Sequence, residues 1–216
     1  MNLLHVTRYL RPMPTPRPEP GDAAESWPVE ESADLFRDDW VVALRADRIR
    51  RPDHPGDEAF RRLVLEHPGA AVVVAMDDEH RVFCLKQYRH AARTRFVELP
   101  AGLCDVDGED PLEVARRELR EEAGLQAEEW VGLASTYSSP GISSELMHFY
   151  LARGLAPADR GDFVPEHEEA DMETGWIDFA ELYAAVLDGR LRDAPTVQAV
   201  LLVNALGYAG RQPAGE

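Results

Sequence analysis

Residues Gly102 to Leu125 read GLCDVDGEDPLEVARRELREEAGL, and this stretch contains signals for both ends of a helix. Asp110 can accept a hydrogen bond from the free N–H groups that begin a helix. Pro111 suits the first helical position, where its missing N–H is not needed. Gly124 can adopt the left-handed conformation that ends a helix. The stretch therefore predicts a helix over Pro111 to Ala123.

This predicted helix carries an apolar stripe and, away from it, an acidic cluster. The stripe repeats every three or four residues and consists of Leu112, Ala115, Leu119 and Ala123. Glu118 and Glu122 are four residues apart, so they stack on one face with Glu121 beside them. At an effective dielectric constant near 20, two such charges repel by about 3 kcal/mol. A divalent cation with hard oxygen ligands, Mg²⁺ or Mn²⁺, would remove this cost, whereas a solvated Glu/Arg-rich face is the plain alternative.

The spacing of glycines and charged residues around the helix resembles the signature of the Nudix hydrolase family. The matching positions are Gly102, Glu109, Arg117, Glu118, Leu119, Glu121, Glu122, Gly124 and Leu125. One departure is that six residues separate Gly102 from Glu109, where the family usually has five. The resemblance implies a metal site formed by Glu118, Glu121, Glu122 and the carbonyl of Ala101. It implies structural roles for Gly102, Glu109, Arg117 and Gly124, with Arg117 pointing away from the metal and holding Glu109 or the loop.

Composition limits the classes of function. With 216 residues, 44% of them hydrophobic, the chain can build one sizeable core. A net charge of −17 argues against a nucleic-acid partner, because the field of the protein would repel phosphates. Two cysteines are too few for a disulfide framework. The first residues lack the apolar core of a secretory signal and no run of 18 apolar residues occurs, so we expect a cytoplasmic protein without a membrane partner.

The pattern of elements predicts an α+β fold with three parts. Residues 1–36 form a proline-rich tail, poorly ordered to about residue 31; residues 37–68 form an N-terminal antiparallel β segment; and residues 69–209 form the hydrolase domain. Strands are expected at 40–49, 61–66, 70–76, 81–88, 95–99, 130–138, 146–152 and 174–177, and further helices at 179–187 and about 195–206. Strands with helices lodged against them argue for a layered sandwich. The resemblance implies the Nudix-type α/β/α sandwich with a mixed sheet, and a homodimer formed through the N-terminal β segment.

Segments on both sides of the box resemble the ADP-ribose pyrophosphatase branch of the family. They are Gln87-Tyr88-Arg89-His90, Glu98-Leu99-Pro100-Ala101-Gly102, and Ser139-Pro140-Gly141 with Ser144-Glu145. The resemblance implies that ADP-ribose is hydrolysed to AMP and ribose 5-phosphate, and that the substrate contacts are Arg89, Glu98, Pro140 and Glu145. The plainer alternatives are a surface ion pair for Arg89, a core aromatic for Tyr88 and a solvated carboxylate for Glu145. Another nucleotide sugar or nucleoside diphosphate derivative is the nearest alternative substrate, and a non-catalytic ADP-ribose-binding regulator or a scaffold with a vestigial site are the others.

A general base is needed besides the box glutamates, because carboxylates bound to a cation are held acidic. The acidic segment 165–172 follows the box, and in the enzymes that the chain resembles a loop at this place supplies the base. Glu168 is the first candidate and Glu169 the second. His167 competes because its pKa suits neutral pH. A solvated acidic turn is the alternative.

Overall fold

The computed structural model describes residues 20–54, 56–161 and 171–210. Within them lie ten strands and three α-helices. The strands are β1 Val29–Phe36, β2 Ala43–Ile49, β3 Phe60–Glu66, β4 Ala70–Ala75, β5 Arg81–Arg89, β6 Thr94–Glu98, β7 Ala101–Leu103, β8 Leu125–Tyr137, β9 Leu146–Pro157 and β10 Glu173–Asp178. The helices are α1 Pro111–Ala123, α2 Phe179–Leu187 and α3 Ala194–Ala205. None of these described helices combines the length and apolar composition needed to cross a membrane.

A four-stranded mixed sheet in the order β7-β4-β9-β8 forms the centre of the fold. Its strand β4 pairs in parallel with β9 and antiparallel with β7. Five of the six residues of β4 are buried because both faces of the sheet are covered. On one face Ala71 and Val73 pack with residues of α1, and on the other Val72 and Val74 pack with residues of α2 and α3. This layering confirms the predicted α/β/α sandwich.

Helix α1 has the predicted bounds. The Oδ1 atom of Asp110 accepts a hydrogen bond from Leu112 N at 2.9 Å, and Gly124 ends the helix at a φ of 64°. The buried face is wider than the apolar stripe that the sequence shows, because it includes Val114, Glu118 and Glu122. The two glutamates therefore lie in the interface between α1 and the sheet instead of on a solvated face.

A second sheet, in the order β10-β5-β6, leads the chain into β7 and α1 through its strand β6. Strand β6 ends at Glu98 and β7 begins at Ala101, so Leu99 and Pro100 carry the chain from one sheet to the other. The N–H of Val73 donates to the carbonyl of Pro100 at 2.9 Å, which fixes this crossing against β4. The start of β7 is thereby set beneath α1.

An antiparallel N-terminal sheet, β1-β2-β3, confirms the predicted N-terminal β segment. It begins earlier than the sequence indicates, because β1 lies inside the residues that we assigned to the tail, and the boundary drawn at residue 36 falls at the end of a strand. All eight residues of β1 are exposed, so the strand lacks the alternation of buried and exposed positions by which a half-buried strand is recognised. The N–H of Leu65 on β3 donates to the carbonyl of Ile142 at 2.7 Å, which joins this sheet to the loop before β9.

Candidate active site

A cleft of about 1100 Å³ opens where β5, β6, β7 and α1 meet the first residues of α3. Seven carboxylates of the described residues line it, from Glu98, Asp105, Glu118, Glu121, Glu122, Glu145 and Asp193. Two arginines, Arg89 and Arg117, line it as well. The excess of negative charge means that an anionic substrate cannot be bound here without additional cations.

The carboxylates of α1 are fixed against β7. A Cβ atom on Gly102 would lie 2.0 Å from Oε1 of Glu118, so the glutamate occupies the space that any other side chain would need. The Oε2 atom of Glu122 accepts a hydrogen bond from Ala101 N at 2.9 Å. Glu118 and Glu122 are only 8% and 6% exposed. Position 102 must therefore be glycine if Glu118 is to occupy this place.

Arg117 lies among the carboxylates of the box. Its Nη1 atom donates to Oε1 of Glu118 at 2.7 Å and lies 3.6 Å from Oε2 of Glu121. Its Nη2 atom lies 3.8 Å from Oε2 of Glu109. The sequence led us to expect Arg117 to point away from the metal, but its guanidinium contacts Glu118 and lies near Glu121, two of the carboxylates that were expected to hold that metal. Close carboxylates need a neighbouring cation, and Arg117 supplies that charge in this arrangement.

The donor set fits a hard divalent cation. The Oε2 atom of Glu109 is buried and has no hydrogen-bond partner among the described residues, which leaves an acceptor oxygen unsatisfied beside Arg117. Glu118, Glu121 and Glu122 offer further carboxylate oxygens, the ligands that Mg²⁺ and Mn²⁺ prefer. As these side chains are arranged, no three histidine, cysteine, aspartate or glutamate side chains in the described ranges already surround one position for an ion.

Arg89 on β5 and Glu98 on β6 form an ion pair that also lines the cleft. The Nε and Nη2 atoms of Arg89 donate to Oε1 and Oε2 of Glu98 at 2.9 and 2.6 Å. These hydrogen bonds, together with the charges of Asp193 and Glu122, raise the pKa of the guanidinium. The side chain of Glu98 is 7% exposed and that of Arg89 is 54% exposed. Glu98 therefore contacts Arg89 with both oxygens, and Arg89 presents the exposed charge.

The structure places some of the remaining candidate substrate contacts in the cleft and Pro140 outside its lining. Glu145 lines the cleft, with Oε1 at 3.8 Å from Nε2 of His67. Tyr88 also lines it and is half-buried, with its hydroxyl 3.4 Å from Nδ1 of His90. Pro140 lies on an exposed turn and is not among the described residues that line the cleft. Glu168, Glu169 and the competing His167 lie outside the described residues.

Among the residues that line the cleft and that sequence reasoning did not place there are Trp40, His67 and Asp193. In the sequence, Asp193 lies just before the helix expected at about 195–206, and Trp40 begins the strand expected at 40–49. Trp40 is 66% exposed and lines the cleft, so its ring is accessible to a ligand there. No sequence signal places His67 in the cleft, because its position depends on the register of β3.

The thiol of Cys104 lies close to the box carboxylates. Its partial burial, followed by the negative charges of Glu109 and Asp105, raises its pKa. A raised pKa keeps the thiol protonated and poorly nucleophilic at neutral pH. Cys104 is therefore an inert neighbour of the site and supplies no nucleophile for the chemistry.

Comparisons with known proteins agree with this geometry. The ADP-ribose pyrophosphatase of Mycobacterium tuberculosis is 44% identical over 173 residues, which cover 80% of this chain and 81% of that protein. The ADP-ribose pyrophosphatase of Bacillus subtilis is 33% identical over 138 residues, which cover 64% of this chain and 69% of the relative. A crystal structure of an ADP compounds hydrolase superposes with a TM-score of 0.67 at 20% identity, covering 87% of this chain and 97% of that one, and shows the same fold.

The family itself is settled by a match to the whole central part of the chain. The NUDIX domain model matches residues 65–200, which include β4, the box, α1, α2 and the first seven residues of α3. This range also contains most of the described residues that line the cleft. The resemblance read from the spacing of the box is confirmed, and the chain belongs to the Nudix family.

Proposed function

We propose that the protein hydrolyses the diphosphate of ADP-ribose to AMP and ribose 5-phosphate, using Mg²⁺ or Mn²⁺. The observation that carries the proposal is the cleft in which the buried carboxylates of α1 face the same space as the exposed guanidinium of Arg89. Carboxylates that hold cations, together with an arginine that binds phosphate, are the combination that diphosphate chemistry requires. The activity of the relatives from M. tuberculosis and B. subtilis supports ADP-ribose as the substrate.

Glu118, Glu121, Glu122 and the carbonyl of Ala101 would hold the metal. A bound divalent cation would polarise the diphosphate and lower the pKa of the attacking water. Arg117 contacts Glu118 and Glu121 where metal ligation is proposed, so we expect its guanidinium to shift toward Glu109 when the site is loaded. That shift would satisfy the buried oxygen of Glu109 that has no partner among the described residues.

Other residues of the cleft bind and orient the substrate in this proposal. Glu98 fixes two nitrogens of Arg89, so the guanidinium meets a phosphate oxygen with little loss of side-chain entropy. The exposed ring of Trp40 offers a flat apolar surface on which adenine can stack. Glu145 can accept a hydrogen bond from a sugar hydroxyl. Glu168 or Glu169 remains our candidate for the base that takes the proton of the attacking water.

The decisive experiment is an assay of AMP release from ADP-ribose with Mg²⁺, with Mn²⁺ and with EDTA. A panel of GDP-mannose, ADP-glucose and NADH serves as the comparison. We expect the highest kcat/KM for ADP-ribose, and no turnover in EDTA. A higher kcat/KM for any other compound of the panel would contradict the proposed substrate.

The base is tested separately by Glu168→Gln, Glu169→Gln and His167→Ala. One of the two glutamine variants should lose kcat by about 10²- to 10⁴-fold with KM and metal affinity largely kept, because a general base contributes about this much. If both glutamine variants stay active while His167→Ala is inactive, the base is the histidine.

We also propose a homodimer formed through the N-terminal sheet. Among the described strands β1 pairs only with β2, so its outer edge and its exposed apolar side chains are open to a second copy. Phe36, on this strand, is 60% exposed. Sedimentation should give a dimer at micromolar concentration and a monomer for Phe36→Asp, whereas Leu187→Asp, an equally exposed site on α2, should stay dimeric. A monomeric wild type would contradict this proposal.

The cytoplasmic location stays a prediction.

A further inference from the structure

We infer that Asp193 is a specificity-determining residue, and that its free carboxylate oxygen accepts a hydrogen bond from a ribose hydroxyl of the substrate. The inference rests on the proposed function and assigns a contact within the same cleft. Asp193 and Pro195, at the start of α3, both line this cleft. They lie on an element that the box motif does not include.

The side chain of Asp193 is held in one orientation. Its Oδ2 atom accepts two hydrogen bonds from Thr196, from the backbone N at 3.0 Å and from Oγ1 at 2.7 Å. Thr196 is completely buried and therefore cannot move away from the carboxylate. A side chain that is locked by such contacts binds a ligand without paying a further cost in rotamer entropy. The two hydrogen bonds that cap α3 therefore also fix the position of Oδ1, the second carboxylate oxygen of Asp193.

Asp193 presents an unused acceptor in a cleft that also contains an unused donor. No donor from residues 20–54, 56–161 and 171–210 bonds its Oδ1 atom. Within the same ranges, Arg89 uses Nε and Nη2 for Glu98, and its Nη1 has no acceptor. Asp193 and Arg89 both line the cleft, and the charge of Asp193 contributes to the raised pKa of Arg89. The cleft therefore offers a cationic donor and an anionic acceptor together.

The chemistry of this pair selects one kind of ligand. A phosphate oxygen can accept from Nη1 of Arg89, but it cannot donate to a carboxylate and is repelled by it. A hydroxyl close to that phosphate can donate to Oδ1 of Asp193. A ribose 5-phosphate unit has both groups, and ADP-ribose contains such a unit in its adenosine half and another in its terminal half.

The test replaces Asp193 by serine and by asparagine. Serine keeps the cap of α3 but removes Oδ1, and serine, asparagine and aspartate cap helices about equally well. In asparagine the single oxygen is needed by Thr196, so the amide NH₂ faces the cleft and a donor replaces the acceptor. The matched control is Asp110→Ser, because Asp110 caps α1 in the same way and is not among the described residues that line the cleft.

We expect Asp193→Ser to raise the KM for ADP-ribose by about 10- to 100-fold, the range for a hydrogen bond to a charged group. The kcat should change by less than about threefold, and Tm should stay within about 2 °C of the wild type because the cap is kept. Asp193→Asn should raise KM at least as much, and Asp110→Ser should leave it unchanged. Inhibition constants for AMP and for ribose 5-phosphate identify which ribose contacts Asp193, since only one of the two constants should rise in Asp193→Ser.

Unchanged KM and inhibition constants in Asp193→Ser, with ADP-ribose still hydrolysed by the wild type, would overturn this inference and leave the proposed function intact. A lower Tm without a change in KM would overturn it too, because it would show a capping role only. If the wild type fails to hydrolyse ADP-ribose, the proposed function is wrong. The binding of AMP and of ribose 5-phosphate to wild type and to Asp193→Ser, measured by calorimetry, then tests the role of Asp193. Equal affinities of the two proteins, or no binding to either, would reject the inference.

Discussion

Two networks of arginines and carboxylates occupy different parts of the molecule. In the N-terminal sheet, Arg45 contacts Asp47 at 3.0 Å and also Glu66, and Arg37 contacts Glu66 and Asp34. In the box, Arg117 contacts Glu118 at 2.7 Å and lies near Glu121 and Glu109, on a helix face that packs against β7. The side chains of the two networks are exposed to similar extents, so the balance of charge separates them: two arginines serve three carboxylates in the sheet, whereas one arginine serves three in the box. Balanced, partly exposed pairs contribute little to stability, whereas an excess of like charges is costly and is explained by a ligand that needs them.

The largest effect is expected from Glu122→Gln in the box. The glutamine oxygen can still accept the hydrogen bond from Ala101 N, so the fold should remain, while the charge available to a metal is lost. We expect kcat with Mg²⁺ to fall by about 100-fold or more, since even residues that only support metal ligands cost about 10- to 100-fold. Tm should change by less than about 3 °C. The control is Glu113→Gln, an exposed position on the same helix; near-native turnover of Glu122→Gln would disprove the metal assignment.

Gly102→Ala tests whether close packing against β7 sets the position of Glu118. The new methyl group would lie 2.0 Å from Oε1 of Glu118, so the carboxylate must leave its place. We expect kcat to fall by about 10- to 100-fold, the range found when support of a ligand is lost. Gly132→Ala provides the comparison, because a Cβ there meets nothing within 4 Å. Equal activity of the two variants would show that the position of Glu118 does not depend on Gly102.

The buried thiol of Cys84 predicts how the stability of the protein depends on pH. Burial raises the pKa of its thiol from 9.0 to about 12 in the folded protein. The unfolded thiol ionises first, so the stabilisation is complete below pH 9 and is lost as the pH rises from about 9 towards 12. The free energy of unfolding should fall by about 1.4 kcal/mol per pH unit in this window from this group. Urea titrations at pH 8 to 10.5 should show a steeper decline for wild type than for Cys84→Ala, and parallel declines would refute the assignment.

The smallest effect is expected from Glu66→Gln in the N-terminal sheet. Glu66 contacts both Arg37 and Arg45, but all three side chains are partly exposed to water. The free energy of unfolding should fall by no more than about 1 kcal/mol, and kcat should not change. Urea denaturation in low and high salt measures the effect, which salt should reduce further. A loss of several kcal/mol would mean that the two networks are not as different as their charge balance indicates.

The sequence was most informative where several constraints fall on one short stretch. Asp110, Pro111 and Gly124 each have a local backbone role, and together they predicted both ends of α1. The burial of Glu118 and Glu122 could not be predicted by hydrophobic periodicity, because it arises from β7, a strand of three residues with no pattern of its own. The family resemblance, which does not depend on burial, named both residues.

The rest of the site was harder to predict because its residues come from distant parts of the chain. Arg89 and Glu98 lie on the adjacent strands β5 and β6 but not opposite each other, since Arg89 lies opposite Thr94 and Leu85 opposite Glu98, so their contact spans four residue positions and is made by the side chains. Asp193 has a complete local explanation as a helix cap, which concealed its position in the cleft. Strand β1 escaped prediction because pairing to β2 stabilises it without burying any of its side chains.

The close approach of Glu118 to Gly102 also explains where the box can accept an insertion. The fixed points are the glycine itself and Glu109, while residues 105–108 between them are exposed. Gly108 has a φ of 77° and open space around it, and the N–H of Glu109 donates to the carbonyl of Val106 at 3.1 Å to close the turn. One additional residue can therefore enter the turn without moving either end. Libraries that vary the length of 105–108 should retain fully active members, whereas libraries that vary position 102 should retain full activity only with glycine.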